Sequence, residues 1–226
     1  MATIGFLGCG KIGKAMVAHI QAGRQHQVSF VQDPFFENDC KLQCPVVPEL
    51  DKKLCKADLT VECATADVLN NHFEYYLEQG NLMVFSVTAF SDRVFADTVD
   101  AICKANHTRV FIPHGAILGL DGIFDARNIL SSVSIETIKN PASLGRNDTQ
   151  RTVVYQGNTR EVCGLYPRNV NVHAAIALAG LGFDRTQSKI ISDPSVSTNS
   201  HVISVEGEGI SFKLHVSAFS SGGVTG

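Results

Sequence analysis

The chain has no basic segment leading into an apolar stretch with a small-residue cleavage site at its start, and no apolar run long enough to span a bilayer. Neither a secretory leader nor a membrane anchor is expected, and a cytoplasmic location follows by default. Also missing is any run of Lys or Arg. With 19 basic against 22 acidic residues and a formal net charge of -3, nothing suggests a nucleic-acid surface or an anionic membrane as partner. Small molecules are the ligands to expect. There is no Cys-x-x-Cys pair and no His-Glu-x-x-His cluster, so no metal site is expected. The seven cysteines are odd in number and mostly embedded in apolar sequence, and read as reduced packing residues. Cys40 and Cys44 would make half a metal site with no second half. No internal repeat or low-complexity tract occurs, although 220–226 is small and polar enough to be a mobile end.

What is present begins at once. An apolar run Thr3-Ile4-Gly5-Phe6-Leu7 is followed by Gly8-Cys9-Gly10-Lys11-Ile12-Gly13, and Asp33 stands twenty residues beyond the last glycine. A strand ending at Leu7 must turn sharply into a helix. Gly8 suits the turn, Gly10 lets backbone approach a pyrophosphate, and Gly13 lets helix and strand pack closely, with the phosphates at the positive end of the helix dipole. Ile12, Ala15, Met16, His19 and Ile20 fall at helical spacing, and 28–31 reads as the next strand. Asp33 stands where a carboxylate accepts hydrogen bonds from ribose hydroxyls and repels a phosphate, which favours NAD over NADP. Asp33-Pro34 also suits a plain turn. NADP stays open because Lys11 or Arg24 is within sequence reach of a 2′-phosphate.

With 226 residues and 44% hydrophobic content, the chain can form one large domain or two small ones. Strands are expected at 58–64, 82–87 and 109–112, with helices at 67–79, stopped by Gly80, and at 91–105, capped by Ser91. This alternation predicts a doubly wound parallel sheet, a Rossmann domain over 1–112. Ligands of such a sheet bind beyond the carboxyl ends of its strands. Ala64 and Thr65, and Ser86 and Val87, are therefore candidates beside Gly8, Gly10, Lys11, Ile12, Gly13 and Asp33, or else they are only turns and caps. After Pro113 the rhythm changes. Short helices are expected at 120–130 and 172–181 among extended runs at 133–137, 152–155, 189–191, 201–205 and 210–216, the last two forming a hairpin about Glu206-Gly207-Glu208-Gly209. The second half, 113–216, is thus expected to be α+β, an antiparallel sheet with helices on one face.

Three segments there carry a resemblance: Pro113-His114-Gly115-Ala116-Ile117-Leu118-Gly119-Leu120-Asp121, the helix start Asn169-Val170-Asn171-Val172-His173-Ala174, and Asp193-Pro194 followed by Asn199-Ser200-His201. With the glycine loop they make the chain, to about Val216, resemble the L-aspartate dehydrogenase family. That family oxidises aspartate to iminoaspartate with a nicotinamide cofactor. The resemblance implies a Rossmann domain joined to an α/β substrate and dimerisation domain of the dihydrodipicolinate-reductase kind, in a homodimer, its product feeding NAD biosynthesis. By position, His201 matches the catalytic histidine, and Ala116 and Asn171 match dinucleotide contacts. His114 and Thr88 depart from the family's usual Ser and Gly, which alters the pocket's shape. The family usually continues past the hairpin with a further strand, so 217–226 is a tail that is either truncated or divergent.

The chemistry supports these residues on its own terms. An imine forms when hydride leaves C2 and the α-amine loses a proton, and its hydrolysis also needs a base. A histidine serves both near neutral pH. Asn199 and Asp193 are expected to hold the tautomer of His201, which faces the nicotinamide. A dicarboxylate needs cationic donors. Arg168, ahead of a helix N-terminus, is the candidate clamp or else an exposed charge, with Lys189 and Arg185 weaker. His114 and Asn199 complete the candidate substrate set. Two other readings are a dihydrodipicolinate-reductase-like oxidoreductase and a non-catalytic dinucleotide sensor. The first is disfavoured because that family places a lysine ahead of a Ser-Gly-Thr segment. The second would have no need of His201 or Arg168.

Overall fold

A computed structural model of the chain describes residues 1–37, 42–218, 220–221 and 224–225. It divides into two compact units, Met1–Pro113 and His114–Gly226.

The first unit is an α/β doubly wound domain. Strands β1 (Thr3–Leu7), β2 (Gln27–Gln32), β3 (Val46–Val47), β4 (Leu59–Glu62), β5 (Asn81–Val84) and β6 (Val110–Phe111) form one parallel sheet in the order β3-β2-β1-β4-β5-β6. That order reverses direction between β1 and β4, which leaves a crevice at their carboxyl ends. Side chains alternate along each strand, so β1 feeds both faces of the sheet. Ile4 and Phe6 join Val17 of α1 (Lys11–Gly23), Val28, Val31 and Val61 on one side. Leu7 packs on the other with Leu69, Phe73 and Leu77 of α2 (Ala66–Gln79) and Phe95 and Val99 of α3 (Arg93–Asn106). Here Phe30 stacks on Tyr76 with ring centroids 5.8 Å apart.

Local chemistry moved some boundaries from those expected. The proline-punctuated stretch after Asp33 contains β3, set between Pro45 and Pro48 at the sheet edge, where the missing N–H groups of proline are tolerated. Ser91 does not cap α3. A 3-10 turn, Val87–Ser91, carries the chain one residue further, and the Asp92 carboxylate accepts from Val94 N at 2.8 Å and Phe95 N at 3.4 Å.

The second unit is α+β. Strands β7 (Leu130–Lys139), β8 (Thr152–Asn158), β9 (Gln187–Ser192), β10 (Asn199–Gly207) and β11 (Ile210–Ala218) form a sheet in the order β11-β10-β7-β9-β8. The hairpin between β10 and β11 turns at Glu208-Gly209, as the sequence suggests. Residues 217 and 218 of the expected tail belong to β11, a short pairing of β12 (Ser220–Ser221) with β13 (Val224–Thr225) follows, and 219, 222, 223 and 226 lie outside the described residues. The expectation of an antiparallel sheet is corrected in one place: β9 runs parallel to β7. Two helices, α5 (Thr159–Leu165) and α6 (Asn171–Ala179), intervene between β8 and β9 and return the chain into the slot between β7 and β8. The expected helix over 120–130 is only α4 (Leu120–Ala126), because β7 already begins at Leu130. Helix α6 is buried from His173 to Ala177 and packs against α4, α5 and β7. One face of the sheet therefore supplies a core, with Val133, Ile135, Ile190, Ile203 and Val205 all buried.

Candidate active site

At the carboxyl end of β1 the backbone forms a cradle. Gly8 adopts φ +79°, and a Cβ there would lie 2.7 Å from the Ala64 Cβ. At Gly13 it would meet Cys9 Sγ at 3.1 Å and the Gly8 carbonyl oxygen at 3.2 Å. At Gly10 it would meet nothing within 4 Å, so the loop presents open backbone there. Helix α1 starts without a side-chain cap and without an acidic residue in its first turn, and Lys11 and Ile12 are exposed beside it. Its N-cap residue, Gly10, offers no side-chain acceptor to the N-terminal amides, which suits anion binding there. The Asp33 carboxylate accepts from Cys9 N and Phe35 N, each at 2.8 Å. Each oxygen keeps acceptor capacity for a ribose hydroxyl. These residues fit a dinucleotide. Arg24 does not belong with them: it caps the far end of the 13-residue α1, roughly 20 Å along the helix axis at 1.5 Å per residue.

The turns after β4 and β5 are tied together by Glu62, a residue sequence reasoning did not single out. Its Oε1 accepts from Ala64 N and Ser86 Oγ, both at 2.8 Å, and its Oε2 from Phe85 N at 3.1 Å and Ser86 N at 2.9 Å. Burial pushes this carboxyl above the usual range while the four donors oppose the rise. The signal was a carboxylate inside a run otherwise read as a buried strand. Ala64 and Ser86 anchor these turns through their bonds to Glu62. The Thr65 hydroxyl caps α2 by accepting from Val68 N at 3.4 Å, and Val87 is buried in the 3-10 turn.

In the second unit His201 is buried on β10, opposite Thr137 of β7. Its Nδ1 lies 2.8 Å from Thr137 Oγ1. The same hydroxyl is 2.6 Å from His173 Nε2 on α6, and His173 Nδ1 is 2.9 Å from Ser188 Oγ on β9. Ser188 Oγ lies 2.8 Å from Thr159 Oγ1, which donates to the Thr186 carbonyl at 3.0 Å. Burial lowers the His201 pKa to about 4, with the Lys139 ammonium adding to the effect. Burial, His201 and Lys139 lower that of His173 to about 3. Both rings are neutral at pH 7. Lys139, two residues beyond Thr137 on the same face of β7, is 8% exposed. Its Nζ donates to Asn169 O at 3.1 Å and Oδ1 at 3.3 Å, and burial lowers its pKa to about 8. Among the described residues no carboxylate pairs with it.

The hydrogen-bond partner of His201 Nδ1 is Thr137, and not Asp193 or Asn199 as expected. Asp193 instead accepts from Arg151 NH1 at 2.9 Å and from Ser195 N and Oγ at 2.9 and 2.6 Å, the ordinary geometry of a turn-opening Asp. Asn199 opens β10 and is half-buried. Arg168 is exposed in the turn before α6, and Lys189 pairs with Glu136 at 2.9 Å. His114 is exposed, while Ala116 and Asn171 are half-buried in the same unit. Cys40 lies outside the described residues. Thr137, Ser188 and Lys139 were missed, and His173 stands out in the sequence only within the helix-start motif, ranking below His201. Extending the alternation Val133, Ile135 along β7 would have put Thr137 and Lys139 on the buried face.

An open dinucleotide cradle in one unit and a buried imidazole beside a buried ammonium in the other define an NAD-binding oxidoreductase. Residues 121–223 match the family described as "Aspartate dehydrogenase, C-terminal", and residues 8–113 match "Homoserine dehydrogenase, NAD binding domain". The chain is 33% identical to the L-aspartate dehydrogenase of Methanococcoides burtonii, covering 92% of this chain and 84% of the relative. It is 32% identical to that of Thermotoga maritima, over 90% of this chain and 81% of the relative. The crystal structure of aspartate dehydrogenase from Thermotoga maritima superposes with a TM-score of 0.81 at 29% identity, covering 96% of this chain and 89% of that one. A WlbA dehydrogenase from Thermus thermophilus, solved with NAD and α-ketoglutarate, shares the fold with a TM-score of 0.58 at 11% identity, covering 98% and 84%. The chain belongs to the aspartate dehydrogenase family.

Proposed function

We propose that the protein oxidises L-aspartate to iminoaspartate, which hydrolyses to oxaloacetate and ammonia, with His201 as the base. The observation carrying this reading is the pair formed by neutral, oriented His201 and buried Lys139, which has no carboxylate partner among the described residues. A buried cation of this kind is balanced by an anionic ligand. Lys139 would hold one substrate carboxylate, its Nζ oriented by Asn169, while Arg168, Asn199 and His114 serve the other end. Bound NAD supplies the hydride acceptor for the substrate's C2–H. Gly8, Gly10, Lys11, Ile12 and Gly13 would seat its phosphates and Asp33 the adenosine ribose. Ala64, Thr65, Ser86, Val87, Ala116 and Asn171 would line the rest of its site. His201 Nε2 takes a proton from the substrate ammonium so that nitrogen can donate its lone pair as hydride leaves. Once that proton has been released to solvent, the same atom takes a proton from the water that adds to the imine carbon and returns it to the departing amine.

The resemblance also favours a homodimer working in the cytoplasm and a product consumed in pyridine-nucleotide synthesis. Among the described residues no helix is long and apolar enough to cross a membrane. The test is NADH formation from L-aspartate by the purified protein. His201→Ala should still bind NADH by fluorescence titration while losing turnover by about 10²–10⁴-fold. Turnover of a different amino acid or hydroxy acid in place of L-aspartate would overturn the assignment.

A further inference from the structure

The groups behind His201 form a continuous file across four elements, and its polarity can be worked out from the fixed end. The Thr186 carbonyl can only accept, and it already takes Thr159 N at 3.0 Å. Thr159 Oγ1, also 3.0 Å away, must therefore give its single proton to that carbonyl. The bond at 2.8 Å between Thr159 and Ser188 then has Ser188 as donor. Ser188, its proton committed, accepts from His173 Nδ1–H at 2.9 Å. His173 is neutral, so its Nε2 accepts, and the donor 2.6 Å away is Thr137. Thr137 Oγ1 is left to accept from His201 Nδ1–H at 2.8 Å. Each hydroxyl donates once, and each imidazole donates from Nδ1.

We propose that His201–Thr137–His173–Ser188–Thr159 is a directional hydrogen-bond relay that locks His201 in its Nδ1–H tautomer and so keeps Nε2 as a lone-pair acceptor. This deepens the reading of His201 as the base and rests on it. Thr137, His173, Ser188 and Thr159 are positioning residues. The reversed polarity would set Thr159 Oγ1 against the Thr186 carbonyl as two facing acceptors and forfeit a buried hydrogen bond. Protonation of His173 would also reverse it, and burial among Thr137, Ser188, His201 and Lys139 suppresses that protonation. A base made ready by its own core needs no carboxylate partner, in keeping with the engagement of Asp193 elsewhere.

Nitrogen-15 spectra of histidine-labelled protein at neutral pH, without substrate, read the tautomer directly, with His201 assigned by the spectrum of His201→Gln. A pyridine-like Nε2 and pyrrole-like Nδ1 at His201 are expected. A pyrrole-like Nε2 overturns the proposal. Ser188→Ala, three hydrogen bonds from His201, removes the acceptor for His173 Nδ1–H. The His201 Nε2 signal should move toward the protonated position, and kcat should fall about tenfold with the KM for NAD unchanged. Wild-type shift and kcat in Ser188→Ala would overturn the proposal. Thr137→Val should cost about 10²-fold in kcat, and Thr137→Ser, which keeps the hydroxyl, should recover most of that loss. If L-aspartate is not the substrate, the functional reading fails while the spectra still decide the relay.

Discussion

Replacing Lys139 with Met should stabilise the protein and disable it. The pKa of this lysine falls from 10.5 to about 8 on folding, which at 1.36 kcal/mol per unit corresponds to about 3 kcal/mol of destabilisation by the charged form. Met has similar length and suits an apolar gap, but it forfeits two bonds to Asn169 worth about 1 kcal/mol each. A net gain of about 1–2 kcal/mol remains at pH 7. The sign with pH follows from linkage. Below the folded value both states carry the proton and the full penalty stands. Between about pH 8 and 10.5 the folded state has released the proton while the unfolded state keeps it, so wild-type stability rises with pH. The variant lacks this rise. Urea denaturation at pH 7 and pH 10 should show the variant more stable at the lower pH and the order reversed at the higher. The KM for L-aspartate should increase at least tenfold, with NADH affinity unchanged. A variant that is less stable at pH 7, with a pH profile parallel to wild type, refutes the reasoning.

Glu62→Gln replaces two accepting oxygens by one, leaving amide N–H donors of the turns after β4 and β5 facing an NH2 group. The cost should be about 3 kcal/mol in urea denaturation, with weakened NAD binding. Asp33→Ser removes the charge that repels a 2′-phosphate and an acceptor for Cys9 N, so the ratio of kcat/KM for NADP over NAD should rise at least tenfold. Acid should destabilise the second unit. The His201 value falls from 6.5 to about 4 on folding, so the unfolded state binds the proton first below pH 6.5, and about 3 kcal/mol is lost by pH 4. His201→Gln should flatten that part of the stability profile measured by urea denaturation.

What was legible in the sequence follows from how locally each feature is determined. The Rossmann half is written in short-range signals: a glycine triplet whose positions answer backbone geometry, strands of two to six residues, and helices stopped by residues such as Gly80. The second half depends on which strand enters which slot, and that is decided by β8, α5 and α6 together. The parallel β7–β9 pairing was invisible for that reason. His201 was found through a motif, but its partners were not. Thr137, His173, Ser188 and Thr159 come from β7, α6, β9 and the start of α5, 137 to 188 along the chain, and only the packed sheet brings them together. Asp193 and Asn199 were near His201 in sequence, and such nearness is a poor guide on a strand whose partner lies across a ladder.

On the proposed reading of His201 as the base, a pKa near 4 is weak for removing an amine proton at neutral pH, and Lys139 would supply the remedy. Burial is the larger cause of the lowered value at His201 and the Lys139 charge the second. Binding a substrate carboxylate to Lys139 leaves the burial in place but offsets the charge. The His201 pKa should therefore rise when aspartate is seated, making the base stronger only with a substrate present. Kinetics separate the two states, since kcat/KM reports the free enzyme and kcat the substrate complex. The acid limb of kcat should lie at higher pH than that of kcat/KM. In a Lys139→Met variant assayed from subsaturating to saturating aspartate the two limbs should converge, because no charge is left to be offset. Coincident limbs in the wild type would mean that Lys139 does not meet the carboxylate, and the clamp would have to be sought at Arg168.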